Sequence, residues 1–169
     1  GKKDILRQLR EKMEAASERL DFESAAILRD QIAAIERVAA GQKVVMESGT
    51  EMDVVAFAGT SRAVCAAVLR YREGRLTDKR EFVFHDTTDI AAVREEFLPQ
   101  YYLDGEYVTK TVAVDALPEA HEALSEALAQ ARGSKVELYV PQRGDVAKLV
   151  TMAYTNAVER LGRESGRYT

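Results

Sequence analysis

Asp53-Val-Val-Ala-Phe-Ala-Gly59 decides the fold, because after its first residue it is apolar at odd and even positions alike. A strand with one wet face alternates between apolar and polar side chains. One that is apolar throughout belongs in the middle of a sheet covered on both sides. The next stretch, Ala63 to Tyr71, reads as a second, mostly apolar strand after a turn at Thr60 to Arg62. Glu73-Gly74 turns the chain into a third, Arg75 to Phe84, which stays polar until Phe82-Val83-Phe84. A polar strand after a tight turn predicts the edge of an antiparallel meander.

Beyond that point helices and strands alternate. Asp89 to Tyr102 carries Ile90, Val93, Phe97 and Leu98 at helical spacing, with a break expected at Pro99. Lys110 to Val114 reads as a short strand, and Pro118 to Ala131 as a helix with proline in its first turn. Val136 to Val140 alternates as an edge strand does. Asp145 to Leu161 is a long helix bearing Val146, Leu149, Val150, Ala153, Ala157 and Leu161. The predicted order is βββαβαβα: a mixed five-stranded sheet with strand one central, flanked by two and four, and three and five at the edges. That arrangement resembles the ribonuclease H-like fold, over residues 41–169.

Residues 1–40 have a different character. Leu6, Leu9, Met13, Ala16 and Leu20 recur at steps of three and four, as do Ala25, Leu28, Ile32 and Ile35. These are the narrow seams of two helices that pack as a coiled coil does. The connection through Leu20-Asp21-Phe22-Glu23 is short enough to force an antiparallel hairpin, with Asp21 as N-cap and Gly41 as the stop. A unit below about 40 residues rarely buries enough core alone. The seam therefore packs on the rest of the chain or on another hairpin, and Phe22 at the tip is a natural anchor for a partner.

Composition sets the outer limits. The chain has 169 residues, 46% apolar and 31% charged, with no apolar run near the ~18 residues of a membrane span. Its single cysteine, Cys65, excludes an internal disulfide and suits a reducing cytoplasm. The net charge of −4 argues against simple electrostatic binding of nucleic acid. It divides as 0 over residues 1–40, −7 over 41–131 and +3 over 132–169. Arg143, Lys148, Arg160, Arg163 and Arg167 in the basic tail are the candidates for a DNA contact.

The stretch Leu9 to Ile32, LREKMEAASERLDFESAAILRDQI, resembles the UVR motif of the bacterial excision-repair proteins UvrB and UvrC. The matching features are the Met13 and Ala16 spacing, Leu20, Phe22-Glu23, Ala25-Ala26 and Arg29-Asp30. Pro141-Gln-Arg-Gly-Asp145 with Leu149, Ala153 and Asn156-Ala157, and the start Met52-Asp-Val-Val55, are similar to the segment that follows this motif in UvrC. The resemblance implies a middle fragment of that repair endonuclease, which incises damaged DNA on both sides of a lesion. It implies that the hairpin binds a counterpart at the C-terminal end of UvrB through Met13, Leu20, Phe22, Glu23, Ala26 and Arg29. It implies no membrane role, and no cofactor is expected.

Ribonuclease H-like nucleases hold two metals with carboxylates on strand one, at the end of strand four and on the last helix. Asp115 follows strand four and Asp145 opens the last helix. The strand-one position falls near Ala58, Gly59 or Thr60, where no carboxylate stands, and Asp53 is at the other end, ~17 Å away by strand rise. The expectation is an inactive domain that links or orients the nucleases of the parent protein, with no metal. Asp115 is then a loop or capping carboxylate and Asp145 a helix N-cap. The alternative is a metal-dependent nuclease using Asp53, Asp115 and Asp145, or a DNA-binding domain. His85, His121 and Ser61 have no catalytic spacing, Cys65 reads as core, and no phosphate-cradling glycine loop is present.

Overall fold

A computed structural model describes residues 2–41, 46–47 and 49–166. The chain forms two compact units, residues 1–43 and 44–169. Arg167, one of the basic candidates, lies outside the described residues.

The first unit is a helical hairpin, α1 (Lys2–Glu18) and α2 (Phe22–Gly41). Ala16, Ile32 and Ala34 are buried, while Leu6, Leu9, Met13, Leu28 and Ile35 are only half-buried. Leu20 is not part of the seam as its spacing suggests. It has left the helix with φ +62° and forms the turn. The Leu20 amide donates to the Ser17 carbonyl at 3.0 Å and the Asp21 amide to the Ala16 carbonyl at 2.8 Å. These two bonds close α1 as a Schellman motif, with leucine where glycine is usual. Asp21 caps α2, accepting the Ser24 amide on Oδ1 at 3.2 Å, and α2 runs to Gly41, where the sequence places its stop.

The second unit holds β1 (Met52–Gly59), β2 (Ala63–Arg72), β3 (Arg75–His85), α3 (Ile90–Leu103), β4 (Thr111–Val114), α4 (His121–Arg132), β5 (Glu137–Tyr139) and α5 (Asp145–Gly166). The sheet order is β3-β2-β1-β4-β5, antiparallel among the first three strands and parallel from β1 to β5. This is the mixed five-stranded, ribonuclease H-like arrangement expected from the pattern. Central β1 is buried from Met52 to Ala58 because both its faces are covered. Val55 and Phe57 join Val64, Ala66, Val68, Val112 and Val114 in a core with α3 and α4. The alternate residues Val54, Ala56 and Ala58, with Cys65 and Ala67, face α5 through Leu149, Met152, Ala153 and Ala157. Small side chains on both sides bring that helix close, and each large aliphatic group buried contributes about 1.5–3 kcal/mol.

Glu73 and Gly74, both at positive φ, make the turn between β2 and β3, the pair of left-handed residues a type I′ hairpin needs. Two expectations about helices change. Pro99 lies inside α3 without breaking it, because Phe97, Leu98, Tyr101 and Tyr102 on either side are all buried. Their packing outweighs the one hydrogen bond that proline removes. Helix α4 begins at His121 rather than Pro118, after a turn whose Glu119 and Ala120 amides donate to the Glu95 carboxylate of α3, at 2.7 and 3.0 Å.

Candidate functional site

Of the residues singled out for partner binding, Leu20, Phe22 and Glu23 stand at the hairpin tip, whereas Met13, Ala26 and Arg29 lie further along the two helices. Leu20 is 72% exposed and Phe22 65% exposed, the two highest values among large apolar side chains of the described residues. Phe22, Ala26 and Arg29 follow one another at helical spacing along α2, so they share a face, with Glu23 beside it. Glu23 and Arg29 are exposed, whereas Ala26 and Met13 are half-buried. Asp21 sets the entry into α2, and its hydrogen bonds from the Ser24 side chain and backbone hold its carboxyl below the usual value. Leu20 and Phe22 thus leave apolar surface in water at the end of a capped hairpin.

The three carboxylates read from the sequence do not converge. Asp115 lies in the bend directly after β4 and caps no helix, and its carboxylate is engaged. It accepts the Phe57 amide of β1 on Oδ2 at 3.0 Å and a two-point ion pair from Arg94 of α3, Nε to Oδ1 at 3.0 Å and Nη2 to Oδ2 at 3.1 Å. The Arg94 guanidinium also lies 5.1 Å from the centroid of the Phe57 ring. Asp145 is the first residue of α5 rather than its cap: the Gly144 carbonyl accepts the Lys148 amide, while the exposed Asp145 carboxylate faces the Lys148 ammonium at 3.8 Å.

Asp53 is fully buried at the start of β1. Its Oδ2 accepts the Tyr102 hydroxyl at 2.7 Å, and Oδ1 faces Arg72 at 3.2 Å and the Arg70 Nε at 3.7 Å. Burial raises its carboxyl above the usual value despite these partners, and burial with the adjacent carboxylate lifts the Tyr102 hydroxyl well above its own. Arg70 continues to Glu106, which Arg80 binds at 2.6 Å. No three His, Cys, Asp or Glu side chains among the described residues form a metal-binding group. Gly59, near the predicted strand-one position, lies against Ile90, 3.1 Å from where a Cβ would stand. A two-metal centre does not fit this donor set, since the carboxylate after β4 already holds a guanidinium.

The basic candidates are largely engaged. Arg160 pairs with Glu164 at 3.0 Å and Glu81 at 3.7 Å, and Arg163 pairs with Glu81 at 3.1 Å. Lys148 faces Asp145, which leaves Arg143 as the member of the set without an ion pair among the described residues. Arg94, Tyr102, Arg70 and Arg72 were not read as site residues. Arg70 and Arg72, two charges closing an otherwise apolar strand, were the available signal.

No helix among the described residues is long and apolar enough to cross a membrane. The family model described as UvrC Ribonuclease H-like domain matches residues 51–164, and the UvrB/uvrC motif matches residues 3–38. The UvrABC system protein C of Thermoanaerobacter sp. (strain X514) is 37% identical over 164 residues, covering 95% of this chain and 27% of that protein. Those of Nocardia farcinica and Syntrophotalea carbinolica are 37% and 38% identical, covering 94% and 96% of this chain. The chain thus spans about a quarter of the length of these relatives. A chain of the PCNA:RNase HII complex from Archaeoglobus fulgidus aligns with 70% of this one at 15% identity and a TM-score of 0.43. With a UVR motif on a helical hairpin and a matching five-stranded domain after it, the chain belongs to the UvrC ribonuclease H-like domain family.

Proposed function

We propose that this chain is a non-catalytic piece of a nucleotide-excision-repair endonuclease, acting in the cytoplasm. Its hairpin docks on the C-terminal UVR hairpin of UvrB, and its ribonuclease H-like domain links or orients the nuclease domains of the parent protein on damaged DNA. The observation that carries the docking half is the exposed Leu20 and Phe22 pair at the end of a hairpin of matching motif. Met13, Glu23, Ala26 and Arg29 complete the docking face. The non-catalytic half rests on Asp115, whose oxygens are taken by Arg94 and the Phe57 amide.

Two measurements test it. The chain mixed with UvrB should form a complex that Phe22→Ala weakens, and no association at micromolar concentration would refute the docking half. The chain incubated with nicked or bubbled DNA and manganese should leave it uncut. Cleavage that Asp115→Asn abolishes would overturn the non-catalytic half.

A further inference from the structure

Among the described residues of the globular unit, the two most exposed large apolar side chains are Tyr107 and Leu103, at 51% and 49%. Both line one cavity of ≈ 450 Å³, set between the C-terminal end of α3, the loop 105–108 and the C-terminal end of α4. That volume suits a ligand of small-molecule size. Tyr102, Val108 and Ala131 add further apolar wall.

The polar side chains of the cavity differ in what they still have to offer. Both Glu106 oxygens are taken, Oε1 by Arg80 at 2.6 Å and Oε2 by Arg70 at 3.3 Å. The Tyr102 hydroxyl donates to Asp53 and the Tyr107 hydroxyl to Glu51. Arg132 donates from Nε to the Ser134 hydroxyl at 3.0 Å, and from Nη1 to Glu51, Tyr107 and the Val108 carbonyl. Its Nη2 has no partner among the described residues and is open to water, and the Ser134 O–H has no acceptor among them. The cavity thus carries unused N–H and O–H donors and no free carboxylate.

We propose that this cavity binds a carboxylate carried on an aromatic body, whether a small aromatic acid or an acidic side chain beside an aromatic one in a peptide. Arg132 Nη2 and the Ser134 hydroxyl receive the carboxylate, and Leu103 and Tyr107 cover the ring. The other nitrogens of Arg132 hold it in place, so little rotamer freedom is lost on binding. A cation meets no free carboxylate here, and a bare phosphate would leave the apolar rim in water. The inference stands apart from the docking reading, since none of these residues belongs to the hairpin.

Titrating the isotope-labelled full chain with N-acetylphenylalanine should shift the amides of the cavity-lining residues saturably, at millimolar affinity. The corresponding carboxamide keeps the ring but loses the charge, and should bind about tenfold more weakly. Ser134→Ala should weaken the acid about threefold. Leu103→Glu changes an exposed position and sets a like charge at the mouth, so it should abolish saturation. Arg132 is left intact in these tests because it also holds Glu51 and Tyr107. Acetyl-glutamyl-phenylalaninamide, with its carboxylate on a side chain, separates the two sources. Tighter binding than the free acid points to a peptide, weaker binding to a small molecule. No saturable shift with either probe up to about 20 mM overturns the proposal. So do equal binding of acid and carboxamide, saturation at residues elsewhere, and a Leu103→Glu chain that binds like the parent.

Discussion

Arg94 and Asp115 form a two-point ion pair, 3.0 and 3.1 Å long, at the end of β4, with both side chains mostly buried. The fold fixes it from two directions: α3 supplies the guanidinium, and the Phe57 amide of neighbouring β1 pins one carboxylate oxygen. A cation carried by the chain itself thus stands against the carboxylate that follows the fourth strand.

Removing that guanidinium strands a mostly buried carboxylate. Arg94→Ala should destabilise the globular domain by about 2 kcal/mol, the loss of a charged hydrogen-bonded partner. Urea denaturation reads the change, and Arg94→Lys should recover only part of it, because an ammonium cannot make the parallel pair. An Arg94→Ala variant as stable as the parent would mean the pair is incidental.

Asp53 gives a pH dependence of unusual sign for a carboxylate. Its folded-state value is raised from 3.8 by burial, so the folded chain holds that proton more tightly than the unfolded chain. Stability from this group is present below the unfolded value and declines as pH rises from about 4 through the folded one. The unfolding free energy of the parent chain minus that of Asp53→Asn should therefore fall with pH over that window. A difference that grows with pH would show that Arg70 and Arg72 outweigh burial.

Gly74 sits at φ +74°, and a Cβ there would stand 2.7 Å from the Glu47 carbonyl oxygen. Gly74→Ala should cost at least about 1–2 kcal/mol from the left-handed conformation alone, before the backbone moves to relieve the contact. Thermal unfolding checks it. No loss would contradict the left-handed backbone at Gly74.

Cys65 is fully buried in β2, and burial with the nearby Glu81 pushes its thiol up to about 11. Reaction with a disulfide reagent at neutral pH should be slower by orders of magnitude in the native chain than in denaturant. The native rate should rise with urea as the sheet opens. Immediate reaction in native buffer would contradict the burial of β2.

The sheet order was legible because each strand's composition reports how many of its faces are covered. Val54 to Ala58 is apolar at every position and central, whereas β3 is charged along its first half and lies at the edge. Pro99 misled because its local cost is visible in the sequence and the burial of Phe97 to Tyr102 around it is not. The Arg94–Asp115 pair was hidden for a similar reason. It joins residues 21 apart, and an arginine on an amphipathic helix reads as solvent-facing until the fold places it. At the tip, Phe22 could be placed by counting helical turns. The left-handed backbone at Leu20 could not, since leucine gives no signal for it.

Docking through the hairpin tip is tested most directly by titrating this chain into UvrB, and into UvrB lacking its C-terminal hairpin, by calorimetry. A saturable complex is expected with the first and none with the second. Phe22→Ala should weaken the complex by about 30-fold or more, the scale of an interface anchor. Its own unfolding midpoint should hardly change, because the ring is 65% exposed. No complex at concentrations up to about 100 μM, a ceiling far above specific affinities, or equal binding by Phe22→Ala, would contradict the account.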